Sequence, residues 1–443
     1  MTFNSTIEDS STQEPVAGNY FVSAYPPFSC WKPEATAAFQ QALDSPPPET
    51  GNGPFGLYVH LPFCVHRCHY CYYLAYDGRL QEMDGYLSAL NRELSIYMSK
   101  PAMAGRPLSF AYFGGGTPSL LSISQLGRLF DELQTTVTWD AVEETTFECA
   151  PRSVTEAKLR ALRAAGITRL SLGVQQLDDD VLRNNGRAHG VNDVLRAYER
   201  IQRVGFDLVN LDLIVGLIGE TEDSFLGSLD RIVGLAPDSV TIYQLEIPLN
   251  TPLYRAIQED SLESAPADWA TKRARLARAF AALERAGYSV ASAYCAVRDP
   301  DKHRFLYQDA QYHGTDLLGI GVSSFSYLDG FHQQNQTRLS AYMDSLSAGQ
   351  LPLGRAYALE PPARLVREFV LQLKLGRVDV SSLRCKYGVD PVDRFSSPLK
   401  KFRSAGWLEI EPDSVSLTRA GLLRVDRLIP EFYLAEHRVG RYS

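Results

Sequence analysis

The sequence predicts an α/β protein: a partial (β/α)6 TIM-like barrel carrying an N-terminal arm and a small C-terminal winged-helix-like domain. Three observations predict it. Six apolar runs bounded by glycine or proline recur between residues 56 and 247. Amphipathic stretches with helical spacing separate them. Near residue 358 the pattern changes to short helices followed by a candidate hairpin. Continuous apolar strands alternating with amphipathic helices indicate a parallel sheet covered by helices. A doubly wound open sheet satisfies the same pattern and stays open as the alternative.

The elements follow in order. Residues 1–18 are polar and acidic and read as a disordered tail, without the basic and apolar regions of a signal peptide. Residues 19–54 read as an arm and linker: NYFVSAYPPFSCW is aromatic and broken by proline, and SPPPETGNGP is linker-like. The core spans 55–290. Its strand candidates are GLYVHLPF (56–63), LSFAYFGGG (108–116), TTFECA (145–150), RLSLGVQ (169–175), LVNLDLIVGL (208–217) and SVTIYQLEI (239–247). Helical patterns lie between them, as in MDGYLSALNRELSIYM (83–98) and VTEAKLRALRAAG (154–166). An extension covers 291–357 and includes the glycine-rich GTDLLGIGVSSFSY (314–327). The last unit, 358–443, runs from VREFVLQLKLG to SPLKKFRSAGWLEIEPDSVSLTRAG. In a barrel, residues just after each strand converge on one mouth, where chemistry is done.

Composition narrows the function classes. Of 443 residues, 45% are apolar and 22% charged, enough for a large core. A net charge of −8 leaves no electrostatic footprint for nucleic acid or an anionic membrane. No apolar run has transmembrane length, so a cytoplasmic protein acting on a small molecule is expected. There are seven cysteines, an odd number. Three of them, Cys64, Cys68 and Cys71, stand within eight residues, which points away from a disulfide framework and toward metal or redox chemistry.

The motif YVHLPFCVHRCHYCYY (58–73) spaces these cysteines CxxxCxxC. Thiolates are iron–sulfur ligands, and three from one loop leave the fourth iron of a 4Fe–4S cluster without a protein ligand. That position can take the amino and carboxylate groups of S-adenosylmethionine (SAM). Zinc is the alternative, with His60, His66 or His69 as a fourth ligand. Tyr58 and Tyr70 flank the cysteines. Packing alone accounts for either ring, yet Tyr70, just before Cys71, is placed to stack near an adenine.

With GGGTP downstream, these residues resemble the HemN-like branch of the radical SAM superfamily. The resemblance runs from about residue 19 to the end through ITRLSLGVQ, NLDLIVGL, HGTDLLGIGVSSFS and HQQNQ. It implies a 4Fe–4S cluster on Cys64, Cys68 and Cys71 as the catalytic centre, with one or two SAM molecules. It implies SAM contacts from Gly115, Gly116 and Thr117 after the second strand, and from Glu148 after the third. Gln175, Arg187 and Asp212 match further SAM-contacting positions. Arg187 also reads as a solvated helix charge, and Glu148 as a surface carboxylate. Asp212, inside an apolar strand, requires a partner.

The pattern departs from the family's oxidase on the substrate side. Tyr73 stands where the oxidase has a further cysteine, Gly216–Leu217–Ile218 replaces GLP, and ASAYCAVRDPD (291–301) lacks Asp-His-Phe. The resemblance therefore implies first a class C methylase or cyclopropanase acting on an sp2 carbon. The alternatives are coproporphyrinogen III oxidase-type oxidative decarboxylation and a HemW-like haem chaperone. It implies an electron donor such as flavodoxin or ferredoxin. Pocket walls are expected from 19–31, 243–255 and 290–335, and the C-terminal module is expected to cover the mouth.

Overall fold

The computed structural model describes residue 22 and residues 24–46, 53–262 and 264–440. The expected tail over 1–18 lies outside the described residues, as do parts of the arm and linker.

Six strands form where the apolar runs place them: β1 (Phe55–Leu61), β2 (Leu108–Gly115), β3 (Glu144–Cys149), β4 (Arg169–Gln175), β5 (Leu208–Val215) and β6 (Ser239–Gln244). They pair in sequence order, all parallel. Leu57, Val59, Phe110, Phe113, Phe147, Leu170, Leu172 and Leu211 have no exposed surface, because both faces of a parallel sheet are covered. The helices around them are α1 (Thr36–Leu43), α2 (Met83–Met98), α3 (Ile123–Thr136), α4 (Glu156–Ala164), α5 (Asp179–Asn184), α6 (Val191–Val204), α7 (Glu222–Leu235), α8 (Pro252–Gln258) and α9 (Trp269–Arg285). Their starts are set locally. Ser122 and Gln125 close a reciprocal capping box on α3, and Thr155 caps α4 through the Lys158 amide.

The extension joins the same sheet. Strands β7 (Ser289–Val290), β8 (Cys295–Val297), β9 (Asp316–Ile320), β10 (Phe325–Leu328), β11 (Phe331–Asn335) and β12 (Leu353–Ala358) give a twelve-stranded order β12-β11-β10-β9-β1-β2-β3-β4-β5-β6-β8-β7. A half-barrel has two open edges of unpaired backbone, and both are covered here. β9 pairs parallel with β1, from Phe55 opposite Asp316 to Val59 opposite Ile320. β8 pairs antiparallel with β6.

The C-terminal module has helix Pro361–Leu373, two further main helices (Val380–Tyr387 and Ser396–Ser404) and a small sheet of β13 (Arg377–Asp379), β14 (Leu408–Glu411) and β15 (Ser414–Leu417). This is the expected succession of helices and hairpin, with β13 added at the side of β15. A second apolar core around Val366, Phe369, Val370, Leu399 and Phe432 holds it together.

The arm packs away from the barrel mouth. Phe28 stacks on Phe325 (centroids 4.6 Å apart, 8° between planes) and Trp31 on His332 (4.8 Å, 13°). The Tyr25 hydroxyl lies 2.7 Å from His437 Nδ1.

Candidate active site

At the C-terminal ends of β2 to β6 lies a cavity of about 600 Å³. The cysteine loop forms one part of its wall. Phe63 and Cys64 pair with Tyr76 and Asp77 as a short parallel bridge, and the Cys71 amide donates to Cys68 O at 3.2 Å. Arg67 Nη2 donates to Cys71 O at 2.9 Å. Two distant segments pin the loop's middle: His69 N donates to Asn185 O, and Leu253 N donates to His69 O. Among the described residues no three His, Cys, Asp or Glu side chains group closely enough to hold a single ion. Of the histidines weighed for zinc, His60 is committed elsewhere, 3.0 Å from the Tyr58 hydroxyl and 3.2 Å from Leu74 O. Burial drives its pKa down to about 4.

Burial also pushes the Cys71 thiol up to about 11, with Cys68 adding to the effect, and raises the Cys64 thiol. Loading such a site with metal expels protons. Thr117 Oγ1 lies 3.4 Å from Cys64 Sγ, and Arg187 Nη1 donates to Cys68 Sγ at 3.1 Å.

The glycines after β2 have a definite task. Gly116 N and Thr117 N donate to Leu61 O and Phe63 O, both at 2.8 Å, tying the loop's first residues to the strand end. A Cβ on Gly116 would stand 2.7 Å from Phe63 O. Gly115 adopts φ +112° and donates to Glu148 Oε2 at 3.2 Å. The other Glu148 oxygen accepts from the Tyr112 hydroxyl at 2.6 Å. Burial, with the Asp212 charge adding, lifts Glu148 to about 7. Asp212 has the partners its burial requires, accepting from Ser171 at 2.9 Å and Asn210 at 2.8 Å, and burial raises it to about 6.

The cavity thus gathers Cys64, Cys68, Cys71, Tyr70, Gly115, Gly116, Thr117, Glu148, Gln175, Arg187 and Asp212 on its wall. Tyr58 is the exception. Its ring lies against Tyr112 (5.9 Å) and Tyr307 inside the barrel, and it is not part of the cavity wall. The expected walls also need correcting. The described part of the arm contributes nothing to the cavity, and 290–335 contributes only Ala293 and Tyr294. The reason is packing: the arm's rings are buried against β10 and β11. Segment 243–246 does line the cavity, as do Leu422–Arg427 of the C-terminal module.

Several wall residues escaped sequence reasoning. Gln244 ends β6 as Gln175 ends β4, so its place after a strand was a usable signal. Arg152, His189, Arg273, Arg424 and Arg427 carried none.

The wall fits a polar cofactor. Gln175 Oε1 and Gln244 Oε1 are buried there without a hydrogen-bond partner, while the Tyr70 hydroxyl faces the Arg187 guanidinium. Native structures rarely leave such groups unsatisfied, so a bound polar group is their natural partner. Gln175 also has φ +67° at a register shift between β4 and β5. Strain of this kind clusters at ligand sites.

Comparison with known proteins agrees. A family model described as the Radical SAM superfamily matches residues 58–232, and one described as the HemN C-terminal domain matches 359–424. The heme chaperone HemW of Bacillus subtilis is 29% identical over 372 residues, 83% of this chain and 96% of its own. The oxygen-independent coproporphyrinogen III oxidase of Escherichia coli is 29% identical over 404 residues, 88% of this chain and 86% of its own. The solved structure of the Escherichia coli oxidase, HemN, superposes with a TM-score of 0.80 at 28% identity, covering 93% of this chain and 96% of that one. Radical SAM proteins of this kind use a 4Fe–4S cluster and SAM, for which the three cysteines and the unsatisfied polar wall are suited. The chain carries a radical SAM domain and a HemN C-terminal domain, and along most of its length it is similar to HemN.

Proposed function

We propose that this protein oxidatively decarboxylates a substrate bearing propionate-like side chains, a porphyrinogen of the coproporphyrinogen kind. The observation that carries this reading is the basic part of the cavity wall. Arg273 of α9, with Arg424 and Arg427 of the C-terminal module, lines the same cavity as the cysteines. Guanidinium forks match carboxylates in shape and charge. An apolar unsaturated metabolite, as methylation or cyclopropanation of an sp2 carbon would use, calls for no such wall. The similarity to an oxygen-independent coproporphyrinogen III oxidase over most of the chain points the same way. The methylase or cyclopropanase expected first therefore gives way to the decarboxylation alternative.

In this reading Cys64, Cys68 and Cys71 hold the cluster. Tyr70, Gly115, Gly116, Thr117, Glu148, Gln175, Arg187 and Asp212 hold SAM, and Gln244 joins them. When bound, these cofactors supply a 5′-deoxyadenosyl radical that takes a hydrogen atom from the substrate. The chain binds, orients and shields. Glu148 and Asp212 offer carboxylate oxygens to a cationic amino group. The arginines fix the substrate carboxylates, and so fix which C–H lies nearest the cofactor. Tyr72 and Tyr73, stacked at 4.5 Å, and Leu422–Arg427 complete the wall around the site. A flavodoxin or ferredoxin would provide the electron that cleaves SAM, and an electron acceptor would take the one the substrate gives up as its carboxylate leaves as CO2 and the vinyl double bond forms.

The similarity to HemW supports a second reading, haem binding with turnover secondary. One experiment separates all three. The chain is reconstituted anaerobically with iron and sulfide, then given SAM, a strong reductant and coproporphyrinogen III, with products read by mass spectrometry. Loss of CO2 from the substrate together with 5′-deoxyadenosine supports decarboxylation. S-adenosylhomocysteine with a methylated product overturns it in favour of methyl transfer. Stoichiometric haem on the purified chain, without substrate turnover, overturns it in favour of the chaperone.

A further inference from the structure

The Arg187 guanidinium is held from more than one side. Its Nη1 donates to Cys68 Sγ at 3.1 Å, and its Nη2 donates to Gly173 O at 3.0 Å. The same Nη2 lies 3.4 Å from Nδ1 of His189, whose Nε2 is 3.1 Å from Val174 O. A guanidinium only donates and a carbonyl only accepts. Nδ1 therefore carries the lone pair and Nε2 the proton, so the neighbours fix the tautomer. His189 is 6% exposed. Burial, and after it the charge of Arg187, drives its pKa down to about 4, which keeps the ring neutral at physiological pH.

We propose that His189 is a positioning residue that aims Arg187 at the cluster ligand Cys68. Anchored on a β4 carbonyl, the ring gives the guanidinium a neutral acceptor that Gly173 O alone does not replace. Arginine carries a long, rotamer-rich side chain, and without the ring its Nη2 keeps one acceptor, Gly173 O, in place of two, which loosens the fork against the sulfur. Hydrogen bonds to ligand sulfurs stabilise the reduced cluster and raise its potential, and the groups that orient a ligand's partner share in that effect. The inference rests on the reading of Cys64, Cys68 and Cys71 as cluster ligands. It assigns to His189 a role exerted through Arg187.

The test uses the full chain, reconstituted anaerobically, with His189→Leu, His189→Gln, Arg187→Met and the His189→Leu/Arg187→Met double variant. Iron content is measured first. A wild-type chain that takes up no 4Fe–4S cluster overturns the cluster reading and this inference with it. With the cluster in place, redox titration followed by electron paramagnetic resonance gives its potential, and the spectral change on adding SAM gives SAM affinity. His189→Leu should retain its iron, shift the potential to more negative values and weaken SAM binding about tenfold. His189→Gln should restore both, since its amide oxygen can accept from Arg187 and its amide nitrogen can donate to Val174 O. In the Arg187→Met background, His189→Leu should add nothing. The proposal falls if His189→Leu leaves potential and affinity unchanged, or if His189→Gln is as impaired as His189→Leu. It also falls if the effect persists undiminished without Arg187, which would mark a purely structural role.

Discussion

Glu148 and Asp212 show how one site couples charge, burial and pH. Both carboxyls titrate above their ordinary range because burial penalises the anion, Asp212 near 6 and Glu148 near 7. For an acid with a raised native pKa, the native state binds more protons than the unfolded one. Its stability contribution is then complete at low pH and is lost as pH rises through the native value. The contribution of these two carboxyls to the stability of the chain without cofactors should fall between about pH 4 and about pH 7, so Glu148→Gln should gain melting temperature relative to the wild type across that window in thermal melts. SAM carries a cationic amino group, so its affinity should rise through the same window in the wild type and less steeply in Glu148→Gln, where Asp212 alone titrates. Gly116 offers a second test. A methyl group there meets backbone on two sides, Phe63 O at 2.7 Å and Leu61 O at 2.9 Å, and neither can rotate away. Gly116→Ala should cost about 1–3 kcal/mol and lower the iron content after reconstitution, because the displaced carbonyls anchor the cysteine loop.

At the scale of elements, the arm and the cysteine loop behave oppositely. The loop has little internal structure and is shaped by contacts from β2, from Asn185 after α5 and from the start of α8. The arm is a packing element. Trp31 is 3% exposed, stacks on His332 and donates from its ring nitrogen to Pro26 O at 3.1 Å. Trp31→Ala should cost about 3–5 kcal/mol in chemical denaturation, yet leave SAM affinity within about twofold of wild type. A large loss of affinity would mean that the arm shapes the cavity after all.

For the whole molecule, Asp426 is the hinge between arm, barrel and module. It accepts from Val22 N at 3.0 Å, pairs with the fully buried Lys374 ammonium at 3.1 Å and accepts from the Tyr294 hydroxyl. Tyr294 and Asp426 both line the cavity. Removing one partner of a buried ion pair strands the other charge, at about 3–5 kcal/mol. Asp426→Asn should therefore lower the melting temperature and loosen the segment Leu422–Arg427. Product analysis should then show more 5′-deoxyadenosine formed per substrate consumed. An unchanged ratio would mean that the module stabilises the chain without shielding the chemistry.

What the sequence by itself determined is what short stretches encode. Six apolar runs with glycine and proline boundaries specify β1 to β6, since burial on both faces is written into consecutive residues. CxxxCxxC specifies three thiolates on one loop, and most of the wall residues follow because each stands at a strand end. The tertiary structure alone decided what depends on pairing across the chain. β9 covers the edge of β1 some 260 residues away (Phe55 opposite Asp316), and the arm's rings settle on β10 and β11 and not at the mouth. Tyr58 turns into the barrel core, and His189 and Arg424 arrive at the cavity from segments with no distinguishing local pattern. Local periodicity and ligand chemistry are properties of neighbours in sequence. Which surfaces meet is settled only when the whole chain minimises its exposed apolar area and pairs its buried polar groups.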